Sequence, residues 1–208
     1  PWIKICGITQ SKVADYAAQL GVNALGFVFY SKSPRSITSK VLPKIIENLK
    51  GSVSIVALFV DPTKDEVSEV LDSGLIDLIQ FHGNESEEFC SSFDTPYMKA
   101  LHIKDQFLPL SVFDKYSSAR YLLLDTFSRK VSGGTGKTFD WSIARDAIEK
   151  TNREIIIAGG LNSTNVERVV KAINPFGVDV SSGVESAPGK KDMTKLDRFV
   201  REARSVRS

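Results

Sequence analysis

Ala158-Gly159-Gly160 follows the apolar run Ile155-Ile156-Ile157, and Ser181-Ser182-Gly183 follows Gly177-Val178-Asp179-Val180, about one strand and one helix later. In a (β/α)8 barrel the loops after the last two strands, with the N-terminus of a short helix, present backbone N–H groups to a phosphate, and glycine lets the backbone come close to it. The two strings therefore predict a barrel and a phosphorylated ligand together.

The rest of the chain agrees with a barrel. Apolar, β-branched runs predict strands over 2–6, 24–29, 53–60, 76–81, 98–101, 121–125, 155–157 and 178–180. Helical periodicity falls between them, over 11–20, 38–49, 64–73, 85–93, 108–116, 140–149, 163–172 and 192–204. The fifth of these helices is weak and contains Pro109. Thr9, Asp61-Pro62, Asn84 and Asn162 are read as helix starts, and Gly21, Gly51 and Gly74 as stops. Strict alternation gives a parallel sheet with right-handed crossovers, and eight units with no excess sequence predict an α/β fold, a single-domain (β/α)8 TIM barrel with short loops over 1–208. An open doubly wound sheet would carry G-x-G-x-x-G after its first strand, where this chain has Cys6-Gly7-Ile8-Thr9.

Composition narrows the function classes. The chain has 208 residues, 42% of them hydrophobic, and 27 Lys and Arg against 25 Asp and Glu leave a net charge of +2. That balance gives no nucleic-acid surface; Arg198, Arg201, Arg204 and Arg207, interleaved with Asp197 and Glu202, read as a solvated helix face. No apolar run approaches the ~20 residues of a membrane span, and the start lacks a signal design, so a cytoplasmic location is expected. Cys6 and Cys90 fit no metal spacing and no disulfide framework, which suits a reducing compartment.

Active sites of such barrels lie at the C-terminal ends of strands. The polar residues there are Cys6, Arg35 on the loop after strand two, Asp61, Gln80 with His82, His102, Asp125, and Asp179 with Ser181. Cys6 is either a small buried hydrophobe or a base whose thiolate is favoured by Lys4 or His82. Asp125, directly after four apolar residues, is either a loop cap or a general acid raised by partial burial. The two end strands one and six, on opposite sides of the mouth, where they can act as an acid/base pair. Asp179 interrupts an apolar strand and should point into the barrel, to orient a catalytic group or to bind backbone donors. Arg35 is a carboxylate fork or a solvated loop residue. His102 is read as a structural histidine, and Cys90, inside a helix, as structural too.

The loop Ser132-Gly133-Gly134-Thr135-Gly136-Lys137-Thr138 fails the P-loop template, which needs glycine where Val131 stands. It reads better as a loop over the ligand, with Gly134, Thr135 and Gly136 adding amides to a phosphate site.

Taken in order, Lys4-Ile5-Cys6-Gly7-Ile8-Thr9, Gly26-Phe27-Val28-Phe29-Tyr30 with Ser33-Pro34-Arg35, Gln80-Phe81-His82-Gly83, Leu124-Asp125, Gly133-Gly134-Thr135-Gly136, Ala158-Gly159-Gly160-Leu161 and Val178-Asp179-Val180-Ser181-Ser182-Gly183-Val184-Glu185 resemble the phosphoribosylanthranilate isomerase family of tryptophan biosynthesis. Phe81 departs from it, standing where a smaller aliphatic residue is expected. The resemblance implies an Amadori rearrangement of N-(5-phosphoribosyl)anthranilate with no metal or organic cofactor, Asp125 as general acid and Cys6 as general base. It implies that Arg35 holds the anthranilate carboxylate and that Gln80, His82 and Asp179 also line the substrate. It places phosphate on Gly134, Thr135, Gly136, Gly159, Gly160, Ser182 and Gly183. The small-molecule substrate is then the only partner expected, with no nucleic acid and no membrane. The related isomerase of histidine biosynthesis resembles an aspartate-based pair and takes two phosphates, so Cys6 argues against it. A barrel that had lost catalysis should lack Cys6 or Asp125.

Overall fold

Period-two alternation sorts the residues of each strand onto two faces. Ile3 and Ile5 of the first strand pack outward with the helices, while Lys4 and Cys6 turn inward. The same alternation runs through eight parallel strands, which close in chain order in a computed structural model that describes residues 1–49, 51, 53–103, 111–125 and 142–206. The strands are β1 (Trp2–Cys6), β2 (Ala24–Val28), β3 (Ser54–Phe59), β4 (Leu78–Phe81), β5 (Tyr97–His102), β6 (Tyr121–Asp125), β7 (Ile155–Ala158) and β8 (Gly177–Val180). Between and after them lie α1 (Ser11–Gln19), α2 (Leu42–Ile46), α3 (Lys64–Leu71), α4 (Glu87–Cys90), α5 (Ser111–Lys115), α6 (Ser142–Glu149), α7 (Val166–Ile173) and α8 (Met193–Arg204). The (β/α)8 TIM barrel expected from the sequence is what the chain forms.

The barrel interior is filled from below. Trp2, Tyr121 and Phe176 close the N-terminal end with rings 5.3 to 6.4 Å apart. Above them Ala24, Val56, Leu78, Met98, Leu123 and Ile156 form a dry layer. At the C-terminal ends Val28 and Leu58 keep β2 and β3 apolar, while β1, β4, β5, β6 and β8 carry Cys6, Gln80, His102, Asp125 and Asp179, and this is where the candidate functional groups collect.

Helix ends differ from the expectation in ways that side-chain hydrogen bonds explain. Thr9 does not cap α1, whose N-cap is Gln10; its hydroxyl donates to Gly189 O at 3.2 Å. The cap of α3 is Thr63 rather than Asp61-Pro62, in a reciprocal box with Glu66. Asp61 instead accepts the Asn84 N–H at 2.6 Å, tying the loop after β3 to the loop after β4. Ser86, not Asn84, caps α4. Asn162 accepts from Thr164 N in a turn, so α7 starts later, after Asn165. Helix α4 is one turn long because the Ser91 and Ser92 hydroxyls bond back to Glu88 O and Phe89 O. On α8, Arg198 and Arg201 make spaced ion pairs, but Arg204 reaches Leu20 O and Gly21 O at the end of α1. Arg207 lies outside the described residues. Among the described residues no helix is long and apolar enough to cross a membrane.

Candidate active site

Strands β1 and β8 are neighbours, with Lys4 level with Asp179 on the inward face. Lys4 Nζ donates to Asp179 Oδ1 at 3.0 Å, and the lysine side chain has no exposed surface. Burial disfavours the ammonium, but the Asp179 carboxylate and the Cys6 sulfur outweigh it and hold Lys4 above its ordinary pKa. The ammonium and the thiol meet over Gly26: a Cβ there would lie 2.9 Å from both Lys4 Nζ and Cys6 Sγ. Burial pushes the Cys6 thiol up, and Lys4 opposes that shift. Of the two side chains that the sequence offers to the thiolate, Lys4 is in place, whereas the hydrogen bonds of His82 go to Gln80 and Asp125.

A second chain of polar groups crosses β4, β5 and β6. Buried Gln80 places Nε2 2.9 Å from His82 Nδ1, and His82 Nε2 lies 3.1 Å from Asp125 Oδ2. With the amide nitrogen as donor, the imidazole proton sits on Nε2 and goes to the carboxylate. His102 is level with Asp125 across the sheet. Its Nε2 bonds His82 O at 3.0 Å and its Nδ1 faces Asp125 Oδ2 at 3.6 Å. Hydrogen bonding to Asp125 raises the His102 pKa against the effect of burial. His102, read from the sequence as a structural histidine, stands at the mouth beside Asp125 with both ring nitrogens facing polar partners and 40% of its side chain exposed. Its signal was the alternation itself, since His102 lies two residues beyond inward-facing Ala100.

Around the closed barrel two strands, β7 and β8, separate β6 from β1 on the shorter path, so Asp125 and Cys6 face each other obliquely across the mouth. In that interval lie the predicted glycine loops. Gly159 and Gly160 have φ of 84° and 68°, conformations that favour glycine. A short 3-10 helix, Ser182–Val184, follows β8. A Cβ on Gly183 would sit 1.8 Å from Leu161 O, so the two loops touch where only glycine fits. Ser182 is exposed at the start of that turn. Gly134, Thr135 and Gly136 lie outside the described residues.

Arg35 is neither a solvated loop residue nor an uncommitted fork. Its Nε and Nη2 bond both oxygens of Glu185 at 2.8 and 2.7 Å, and Nη1 has no hydrogen-bond partner among the described residues. Lys191 Nζ shares Glu185 at 2.9 Å and also donates to Ser181 O. Arg35 and Lys191 overcome the effect of burial and hold the Glu185 carboxyl below its ordinary range, and Glu185 in turn raises Arg35. Sequence reasoning missed Glu185 and Lys191 as functional groups, because Arg35, which gives Glu185 its place in the site, lies 150 residues away, and Lys191 enters only through Glu185.

A sequence model of the family described as N-(5'phosphoribosyl)anthranilate (PRA) isomerase matches residues 3–202. The chain belongs to the phosphoribosylanthranilate isomerase family. It is 42% identical over 199 residues to the N-(5'-phosphoribosyl)anthranilate isomerase of Legionella pneumophila (strain Paris), covering 96% of this chain and 95% of that one. The phosphoribosyl anthranilate isomerase structure from Thermotoga maritima superposes with a TM-score of 0.84 at 35% identity, covering 98% of both chains. A phosphoribosyl anthranilate isomerase in complex with reduced 1-(o-carboxyphenylamino)-1-deoxyribulose 5-phosphate superposes at 0.81, with 32% identity and 98% of both chains covered. Membership of this isomerase family agrees with the fold and with the loops that carry the resemblance.

Proposed function

We propose that this chain is the isomerase of tryptophan biosynthesis that converts N-(5-phosphoribosyl)anthranilate to 1-(2-carboxyphenylamino)-1-deoxyribulose 5-phosphate, with Asp125 as acid and Cys6 as base. The observation that carries the assignment is the pairing of those two groups at the ends of β6 and β1, with the glycine loops of β7 and β8 between them. Asp125 gives a proton to the furanose ring oxygen as the C1–O bond breaks, and the anilino nitrogen supplies the electron pair that makes a C1 iminium. The iminium acidifies C2–H, so a modest base suffices. Cys6, as thiolate, takes that proton, and the C2–H electron pair flows to nitrogen to give an enolamine. Protonation at C1 and loss of the C2 hydroxyl proton then give the ketose.

Each neighbour has a role in this reading. Lys4 stabilises the Cys6 thiolate, and Asp179 holds Lys4. His82 fixes the Asp125 carboxylate in place, and Gln80 fixes the His82 ring. Arg35, braced by Glu185, offers Nη1 to the anthranilate carboxylate. The amides of Gly159, Gly160, Ser182 and Gly183 take the phosphate, joined by Gly134, Thr135 and Gly136.

The test uses the fluorescence of anthranilate to follow phosphoribosylanthranilate made in situ. Wild-type protein is expected to consume it, and Arg35→Lys, which loses the fork, to raise KM with little change in kcat. Absence of turnover by folded wild-type protein would contradict the assignment.

A further inference from the structure

Beside Gln80, His82 and Asp125 stands His102, which has no part in the rearrangement as assigned above and turns a second imidazole nitrogen toward Asp125. Among the described residues, His82, His102 and Asp125 are the one set of three His, Cys, Asp or Glu side chains whose ligand atoms come together, all within 4.8 Å of one another. Two sides of that triangle are 3.1 Å, from His82 Nε2 to Asp125 Oδ2, and 3.6 Å, from His102 Nδ1 to Asp125 Oδ2. A tetrahedral zinc ion with ligands at about 2.0–2.1 Å spaces its donor atoms about 3.4 Å apart. His102, the most exposed of the three, has room to close the third side.

The ring nitrogens that face away from this point are already engaged, as those of metal-binding histidines usually are. His102 Nε2 is on the His82 carbonyl oxygen, which only accepts, so its Nε2 carries hydrogen and its Nδ1 presents a lone pair when the ring is neutral. His82 Nδ1 faces the Gln80 amide at 2.9 Å. Gln80 is fully buried, and its Oε1 has no hydrogen-bond partner among the described residues. The amide therefore suits either tautomer of His82. With Nε2 forward, the His82 proton points at Asp125. With Oε1 forward, Gln80 accepts an Nδ1–H, and His82 Nε2 presents a lone pair toward the same point.

We propose that His82 Nε2, His102 Nδ1 and Asp125 Oδ2 form a binding site at the barrel mouth for a borderline divalent transition cation, Zn²⁺ foremost, and that its occupation switches turnover off. Two imidazoles and one carboxylate suit zinc and cobalt rather than magnesium or calcium. The ion takes the lone pairs of the group assigned as general acid, so it blocks the ring-opening step. Binding does not depend on the reaction assigned above; inhibition does.

Chelator-treated protein is titrated with Zn²⁺ by calorimetry and with Co²⁺ by visible absorption, in parallel with His102→Ala and Cys6→Ser. One ion per chain is expected, with the d–d absorption of low-coordinate cobalt and no sulfur charge-transfer band. His102→Ala, confirmed folded by circular dichroism, should bind more weakly by about 1,000-fold, beyond the roughly tenfold to 100-fold loss seen when only an outer hydrogen-bond partner is removed. Cys6→Ser should bind as wild type does. No binding by wild type, equal binding by His102→Ala, or loss of binding in Cys6→Ser would each overturn the site. Zinc should abolish wild-type turnover and EDTA should restore it; binding with turnover intact would leave the metal site standing and contradict the switch and the role of Asp125.

Discussion

Lys4 is a charged side chain without exposed surface, and its placement shows how single residues set the chemistry of this molecule. A buried ammonium is tolerated because Asp179 sits level with it on the next strand, and removing one member of such a pair strands the other. Lys4→Met is expected to destabilise the fold by about 3–5 kcal/mol, and adding Asp179→Leu to recover most of that loss, measured by urea unfolding. The single change should also move the alkylation of Cys6 to higher pH, since the thiol, already raised by burial, loses the cation that opposes the shift. Full stability in Lys4→Met, or an unchanged alkylation profile, would contradict this account. Gly26 belongs to the same argument, because it leaves the space in which the ammonium and sulfur meet.

At the scale of elements, helix α3 shows why boundaries are harder to read than elements. Asp61, Thr63 and Asn84 are all capping types, and sequence spacing does not say which hydroxyl or carboxylate finds an orphan N–H. The structure gives the cap of α3 to Thr63 and turns Asp61 toward the backbone of Asn84. Thr63→Ala should cost about 1 kcal/mol, a fall in Tm of about 2–4 °C, while Asn84→Ala, whose side chain makes no hydrogen bond among the described residues, should stay within about 0.5 kcal/mol. Thermal and urea unfolding of the two variants would check the order, and equal losses would refute it. The eight strands, by contrast, were legible because each is an apolar run that must be buried on both faces of a parallel sheet. Helices α2 and α4 came out shorter than their periodicity suggested, α4 because its serines compete for backbone carbonyls.

At the scale of the molecule, the site is assembled from side chains far apart in sequence. Strand-end position places Cys6, Gln80, His82, Asp125 and Asp179 together, since the barrel brings all C-terminal strand ends to one mouth. Pairing was not legible. That Arg35 would be held by Glu185, or that His102 would face Asp125, depends on register and loop path, which no local pattern encodes. Gly183 lies between these cases: its string pointed to phosphate, and the structure adds that Leu161 O leaves no room for a side chain.

The central claim is that two groups, on β1 and β6, divide one rearrangement between them. Its most direct test is kcat for Cys6→Ser and Asp125→Asn on phosphoribosylanthranilate, each beside KM and a thermal melt. Both variants should fold, keep KM within a few-fold, and lose about 10²–10⁴ in kcat, the range a positioned acid or base supplies. A kcat near wild type in either variant would contradict the division of labour and return Cys6 or Asp125 to a structural role.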